Sequence, residues 1–182
     1  MEKSEHPWSV PVAVEDIPET GLHMEIEAPA SARAGIAALA AVRDLPRLSA
    51  VFDLTRRGAG VHVSGFVSAL VGQTCVVSLE PMESAVEEAV DVSFAPAAVA
   101  EGLAGKEGDG HGIIAGDEEP PEPLVGGKVD LGALAIEFLL LGIDPYPRKL
   151  GAEFAPPKVE DRGDKPFAAL ETLKKRLGGG QS

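Results

Sequence analysis

The sequence predicts an α+β fold, in which helices pack on an antiparallel β-sheet. We expect about five to seven strands, which could curl toward a barrel, and two to three helices. Two observations support this. Residues 48–95 alternate apolar and polar side chains over short runs joined by turn residues, as in an antiparallel meander. Residues 29–44 and 130–141 instead repeat apolar side chains at helical spacing.

The N-terminal third predicts two short strands and one helix. Residues 8–14 alternate large apolar and smaller side chains, and Pro11 within them lacks an amide donor, which favours an edge strand. Residues 22–27 form a second short strand. The alanine-rich helix at 29–44 opens on a proline, which is tolerated in a first turn, and Pro46 follows its predicted end.

The middle of the chain predicts paired strands. In residues 61–69 valine, glycine and alanine occupy one face, and residues 71–73 read as the turn that follows. The next run contains Cys75, which we expect on a strand whose inward face it shares with Val77 and Leu79. A free cysteine is among the residues most often buried.

These elements predict a single domain with one long loop. Residues 1–96 form a β-rich region with one helix, and residues 124–177 form a helical region of the same domain, which includes the helix capped by Asp130. Residues 97–123 are rich in glycine and acids, so they predict a flexible acidic loop. Residues 178–182 form a disordered tail.

The charge balance disfavours a protein that binds nucleic acid over its whole surface. The chain has 29 acidic and 16 basic residues, for a net charge of −13. The cations are unevenly placed, however, and a tyrosine stands near one basic pair. Such a protein could meet RNA with a basic face, or hold a basic protein with its acidic loop. The predicted RNA- or partner-binding residues are Arg56, Arg57, Tyr146, Arg148, Lys149, Lys174, Lys175 and Arg176.

No metal, cofactor or catalytic site is predicted. One cysteine cannot form a disulfide or a Cys-only zinc site within one chain, and the four histidines lack metal-ligand spacing. The competing prediction is a small cytoplasmic enzyme. It would be a thiol hydrolase that uses Cys75 with His62, or an acid–base hydrolase that uses Glu137 as a buried carboxylate.

The sequence also predicts a cytoplasmic protein with no membrane partner. The N-terminus is acidic and polar and lacks the apolar core of a signal peptide. The longest near-apolar run, residues 131–143, contains a glutamate and is too short to span a bilayer.

Three blocks of sequence point to a family. They are VSALVGQTCVVSLEPMES at 67–84, PPEPLVGGKVDLGALAIEFLLLGIDPYPR at 120–148 and KPFAALETLKK at 165–175. Together and in this order they resemble the bacterial YceD family of large ribosomal RNA subunit accumulation proteins, in its α-proteobacterial form. Many members carry Cys-x-x-Cys in the first block. Here Cys75 matches the first cysteine and Ser78 replaces the second, so a metal or disulfide role of that pair cannot be essential in this chain.

The resemblance implies a non-enzymatic ribosome-biogenesis factor. Such a factor would support the synthesis, processing or stability of large-subunit (23S) rRNA. It would contact the rRNA, a pre-ribosomal particle or a basic large-subunit ribosomal protein. The resemblance transfers no catalytic residue.

Overall fold

A computed structural model describes residues 6–104, 120–154 and Leu170. The chain divides into two compact units, residues 1–152 and residues 153–182. The strands and helices given below all belong to the first unit.

The described residues form seven strands and three helices; two of the helices lie between strands and the third follows the last strand. The strands are β1 (Pro11–Ala13), β2 (Leu22–Glu27), β3 (Asp44–Arg57), β4 (Gly60–Thr74), β5 (Pro81–Pro96), β6 (Glu122–Leu124) and β7 (Lys128–Asp130). The helices are α1 (Ala30–Leu39), α2 (Ala97–Ala104) and α3 (Leu131–Gly142), and a 3-10 turn spans Val14–Asp16. The predicted α+β class is confirmed.

Five strands form the main sheet in the order β2-β3-β4-β5-β6, and β1 pairs with β7 in a separate two-stranded sheet. The pairs from β2 to β5 are antiparallel, as predicted. The last pair is not, because β6 runs parallel to β5. The chain between them includes α2 and is long enough for the crossover that a parallel pair needs. The sheet is therefore mixed, and its described strands do not close into a barrel.

One face of the sheet is buried by α1 and α3, and no helix within residues 6–104 and 120–154 covers the other. The alternate valines of β4, at positions 61, 63, 67 and 71, are completely buried, which confirms the predicted period of two. They share one core cluster with Phe52 of β3, Ile36 of α1 and Leu134 of α3. With few aromatics in the chain, burial of aliphatic side chains provides most of the driving force for folding.

Two element boundaries differ from the prediction. The first helix ends at Leu39 rather than near residue 44, because Ala41 takes a left-handed conformation with φ of 53°. The chain then enters β3 at Asp44, next to Gly72 of β4. The turn predicted at 71–73 is absent, since β4 continues to Thr74 with paired, buried residues.

The acidic loop prediction covers residues that are only partly described. Ala97–Ala104 form α2 and Glu122–Leu124 form β6. Residues 105–119 between them lie outside the described part of the chain.

Candidate functional site

Hydrogen bonds hold the segment after α3, residues 143–150, against the end of β4; we call it the anchored segment. The Gln73 side chain is only 7% exposed and donates from Nε2 to the carbonyl oxygen of Asp144 at 2.8 Å. The amide of Val76 donates to the carbonyl oxygen of Pro147 at 2.9 Å. Both bonds fix backbone atoms, so the side chains between and beyond them project from an ordered support.

The surface that the anchored segment contacts is a turn at residues 75–80 that contains the single cysteine. The turn closes through the amide of Cys75, which donates to the carbonyl of Glu80 at 2.9 Å, and through the amide of Leu79, which donates to the carbonyl of Cys75 at 2.9 Å. The strand predicted here is therefore wrong. Leu79 has a φ of 59° and is 76% exposed, so it does not face inward.

The burial predicted for Cys75 is confirmed, because the residue is 0% exposed. Its sulfur accepts hydrogen bonds from the amide of Lys149 at 3.3 Å and the amide of Ser78 at 3.4 Å. These donors, with Lys149 first, lower the pKa of the thiol to about 6, because they stabilise the thiolate. The sulfur thus joins the anchored segment to the turn.

Cys75 and His62, the two residues of the alternative thiol hydrolase, do not contact each other. Among the described residues, the hydrogen bonds to the Cys75 sulfur come from Lys149 and Ser78, and none comes from a histidine. His62 pairs with Thr55 and Ser93, toward the other end of β4, and its Nδ1 lies 3.2 Å from the Ser93 hydroxyl. Thirteen residues separate it from Cys75 along the chain, which is roughly 40 Å of extended strand.

The acid–base alternative also lacks the environment that it needs. Glu137, which this alternative requires as a buried carboxylate within an apolar helix, is exposed. Instead Glu122 has a raised pKa, first because of its partial burial and second because of the charge on Glu137. Nothing in this arrangement isolates Glu137 from solvent.

Three predicted binding residues lie together on the anchored segment. Tyr146 is 71% exposed, and Arg148 and Lys149 are exposed as well. Lys149 Nζ lies 2.8 Å from Glu80 Oε2, and this pair raises the pKa of the lysine and lowers that of the glutamate. Both side chains are at least half exposed, so the pair contributes little stability and could open for another anion.

The other predicted cations do not belong to this surface. Arg57 pairs with Gly60 at one end of β3, whereas Asp44 pairs with Gly72 at the end near the anchored segment. Arg56 and Arg57 therefore stand at the far end of the sheet. Lys174, Lys175 and Arg176 lie outside the described residues.

Two shallow clefts meet beside the anchored segment and contain arginines that the sequence prediction missed. One has a volume of about 740 Å³ and runs between the end of α1, Val76 and Pro147. The other, of about 560 Å³, lies along α1 and includes Arg33. Arg43 lines both clefts. The only signal in the sequence was the high density of arginines between residues 33 and 57.

The charges at this end of the sheet are close to balance in a strongly acidic protein. The cations are Arg33, Arg43, Arg148 and Lys149, and the neighbouring carboxylates are Asp44, Glu80 and Asp144. Arg43 Nε lies 3.0 Å from Asp44 Oδ2, in another exposed pair. Glu83 also pairs with Gly72 at this end of the sheet, so the four cations face four carboxylates. This near balance makes the surface more favourable for an anionic ligand than the −13 of the whole chain suggests.

Within residues 6–104 and 120–154, no helix is long and apolar enough to cross a membrane. The same residues contain no group of three or more side chains placed to hold a metal ion.

The comparisons with known proteins give one match. The family model described as Large ribosomal RNA subunit accumulation protein YceD matches residues 63–174. These residues include the turn at 75–80 and the anchored segment. No curated protein and no solved structure matches the chain. The α-proteobacterial form stays a prediction. Because the match extends over more than half of the sequence, the chain belongs to the YceD family.

Proposed function

We propose that this protein acts in the cytoplasm as a non-enzymatic ribosome-biogenesis factor that supports the accumulation of large-subunit rRNA. In support, the family description names large ribosomal RNA subunit accumulation. The observation that carries the molecular part of the proposal is the anchored segment, which presents exposed Tyr146 and Arg148 beside the two clefts. We assign this surface to contact with rRNA, free or within a pre-ribosomal particle.

The side chains of the anchored segment suit single-stranded RNA. An exposed tyrosine offers a ring on which a base can stack, worth about 1–3 kcal/mol per base. Arg148 can bind a phosphate through two parallel hydrogen bonds. Because Gln73 and Val76 hold the backbone of the segment, less conformational entropy is lost on binding than in a free loop.

The ion pairs of this surface allow exchange for phosphate. Arg43 and Lys149 are each paired with a carboxylate, but their side chains are about half exposed. Exposed pairs contribute little stability, so a phosphate could replace either carboxylate at small cost. We expect modest affinity that depends on salt, because each phosphate contact releases counterions.

The binding experiment compares two charge reversals at opposite ends of the sheet. A 23S rRNA transcript is titrated with wild type, Arg148→Glu and Arg57→Glu at several salt concentrations. Loss of one phosphate contact should weaken binding about tenfold for Arg148→Glu and reduce the log–log salt slope by about 0.7–0.9. Arg57→Glu changes the net charge equally and should keep an affinity near wild type.

Equal losses in both variants would contradict the assignment to the anchored segment. Tyr146→Ala supplies a second test, since it leaves charge unchanged and should weaken RNA binding without altering the salt slope. A third outcome would identify a ribosomal protein, rather than RNA, as the direct partner. In that outcome the purified chain has no affinity for RNA, and its complex with a ribosomal protein persists after nuclease treatment.

The cellular experiment is depletion in the native host. We expect less 23S rRNA and a smaller free large-subunit peak on gradients, restored by wild type and poorly by Arg148→Glu. An unchanged 23S rRNA level with unchanged subunit peaks would refute the proposed role.

A further inference from the structure

The face of the main sheet opposite α1 and α3 carries an exposed apolar row at its centre. In that row Val51 of β3, Phe66 of β4 and Ala89 of β5 are direct cross-strand neighbours. Phe66 is 64% exposed and Val51 is 38% exposed. We call this surface the outward face. Single exposed apolar side chains are common, but a contiguous exposed apolar patch with a polar rim marks an interaction surface.

Carboxylates surround the apolar row on both sides. Asp53 and Asp91 both face Ser64 in one neighbouring row, while the other row runs across the strands from Glu27 to Glu87. The acidic residues of the outward face are Glu25, Glu27, Asp53, Glu87 and Asp91, all exposed. The sheet spacing of about 4.8 Å between strands places these charges within one patch.

Arg47, which pairs with Leu70, lies one row beyond Ser49 and Ser68. Among the described residues, positive charge is nearly absent from the three rows above and from the bordering row of Thr55, His62 and Ser93. The basic groups there are two histidines. His23 Nδ1 lies 2.7 Å from Asp53 Oδ1, and His62 Nε2 lies 3.8 Å from Asp91 Oδ1. Each histidine thus lies beside a carboxylate of the patch. Glu25 also lies 3.7 Å from His23 Nε2. The other two carboxylates, Glu27 and Glu87, form no ion pair with the described residues.

We propose that the outward face is a docking surface for a basic polypeptide segment, which covers Phe66 with an apolar side chain and places lysines or arginines on the surrounding carboxylates. An apolar centre inside a charged rim is the anatomy of protein interfaces, in which an aromatic residue near the centre contributes much of the binding energy.

Charge selects this occupant over the alternatives. A second copy of the chain on the same face would bring two acidic patches together, and like charges repel. RNA would meet the same repulsion from its phosphates. A basic polypeptide gains from every carboxylate and can fill the apolar row. This inference goes beyond the proposed RNA contact and does not depend on it, because it uses none of the residues of the anchored segment.

The test uses two short labelled peptides rich in lysine and arginine, which differ only in a central tryptophan or alanine. Binding to the full chain is measured by fluorescence anisotropy at low salt, and the surface is mapped by amide chemical shifts. We expect the tryptophan peptide to bind about tenfold more tightly, since one buried aromatic anchor is worth roughly 1–2 kcal/mol. The shifted amides should lie in β2 to β5, around Phe66.

Matched variants separate specific docking from general attraction to an acidic protein. Phe66→Ala should abolish the preference for the tryptophan peptide. The double variant Glu87→Lys with Asp91→Lys should weaken binding of both peptides about tenfold or more. The control, Glu15→Lys with Asp16→Lys, makes the same change in net charge on the 3-10 turn and should have a much smaller effect on binding. Exposure of all five side chains makes folded variants expected, and circular dichroism verifies this.

Four outcomes would overturn the proposal. The first two are an equal loss of peptide affinity in both charge-reversal variants and an unchanged preference for the tryptophan peptide in Phe66→Ala. The third is that the peptide shifts amides in residues 143–150 instead of the outward face. The fourth is that the 23S rRNA transcript or self-association shifts the amides of the outward face. Because Arg148→Glu leaves this face intact, loss of RNA binding in that variant with retained peptide binding distinguishes the two proposals.

Discussion

Asp130 connects the start of α3 to the N-terminal strand, and its replacement by alanine is a sharp test of the fold. Its Oδ1 accepts the amides of Gly132 at 3.0 Å and Ala133 at 3.1 Å, which is the N-cap predicted from the sequence. The same oxygen accepts the amide of Val10 at 2.8 Å, and Oδ2 accepts the hydroxyl of Ser9. One side chain therefore satisfies four donors on two parts of the chain.

The expected cost of Asp130→Ala follows from these contacts. Loss of an N-cap costs about 1 kcal/mol. The two further hydrogen bonds are worth about 0.5–1.5 kcal/mol each, the range for ordinary hydrogen bonds, because the carboxylate is only partly buried and water competes for it. The free energy of unfolding should therefore fall by about 2–4 kcal/mol. Asp130→Asn keeps the capping oxygen, so it should lose roughly half as much.

The assay is urea unfolding followed by the fluorescence of Trp8, the only tryptophan in the chain. Trp8 is buried, and its carbonyl lies close to Gly132 at the start of α3, so it reports on this junction. A loss below about 0.5 kcal/mol for Asp130→Ala, at an unchanged denaturant slope, would refute the reasoning. So would an equal loss in Asp130→Asn.

The same residue gives stability a pH dependence with a definite sign. Partial burial raises the pKa of Asp130, but the hydrogen bonds from Ser9, Val10 and the first helical amides outweigh it, so the pKa is lowered. Its contribution is therefore complete above the unfolded pKa of about 3.9 and is lost as the pH falls through the lower folded value. Asp130→Asn should remove this component of acid unfolding.

Two other changes test the sheet. In Gly65→Ala the new Cβ would lie 2.0 Å from the carbonyl oxygen of Val51, so the free energy of unfolding measured in urea should fall by about 2–4 kcal/mol. The control Gly58→Ala, at a φ of 61° but in open space, should cost about 1 kcal/mol. Similar losses in the two variants would contradict the steric argument. The hydrogen bond and charge of Asp53 raise the pKa of His23. This pair therefore stabilises the folded state fully below about pH 6.5 and ceases to do so as the pH rises through the folded pKa of His23. In Asp53→Asn the pKa of His23 measured by NMR should fall, and an unchanged value would exclude the pairing.

Local patterns were sufficient for most of the fold. Alternation in residues 61–69 placed the valines of β4 in the core, because a strand turns successive side chains to opposite faces. The cap at Asp130 and the apolar stripe after it predicted α3, since both depend on residues a few positions apart. Burial of Cys75 was also predicted, although the strand predicted around it proved to be a turn.

The misplaced elements are those that distant residues decide. The turn at 75–80 forms where the anchored segment contacts it. The amide of Lys149 donates to the Cys75 sulfur, and the carbonyl of Pro147 accepts the amide of Val76, from about seventy positions away along the chain. The parallel pairing of β6 with β5 likewise depends on a long connection. Periodicity within a short window contains no information about such contacts.

The sequence alone determined the fold class, the helix α3 and the family, because these depend on side-chain order along the chain. Tertiary structure alone decided which charges meet. It separated Arg57 from Arg148 by the length of a strand and brought Arg43 to the anchored segment. It also set Phe66 among carboxylates of three other strands. Binding surfaces are made by proximity in space, and strand register and helix packing create that proximity.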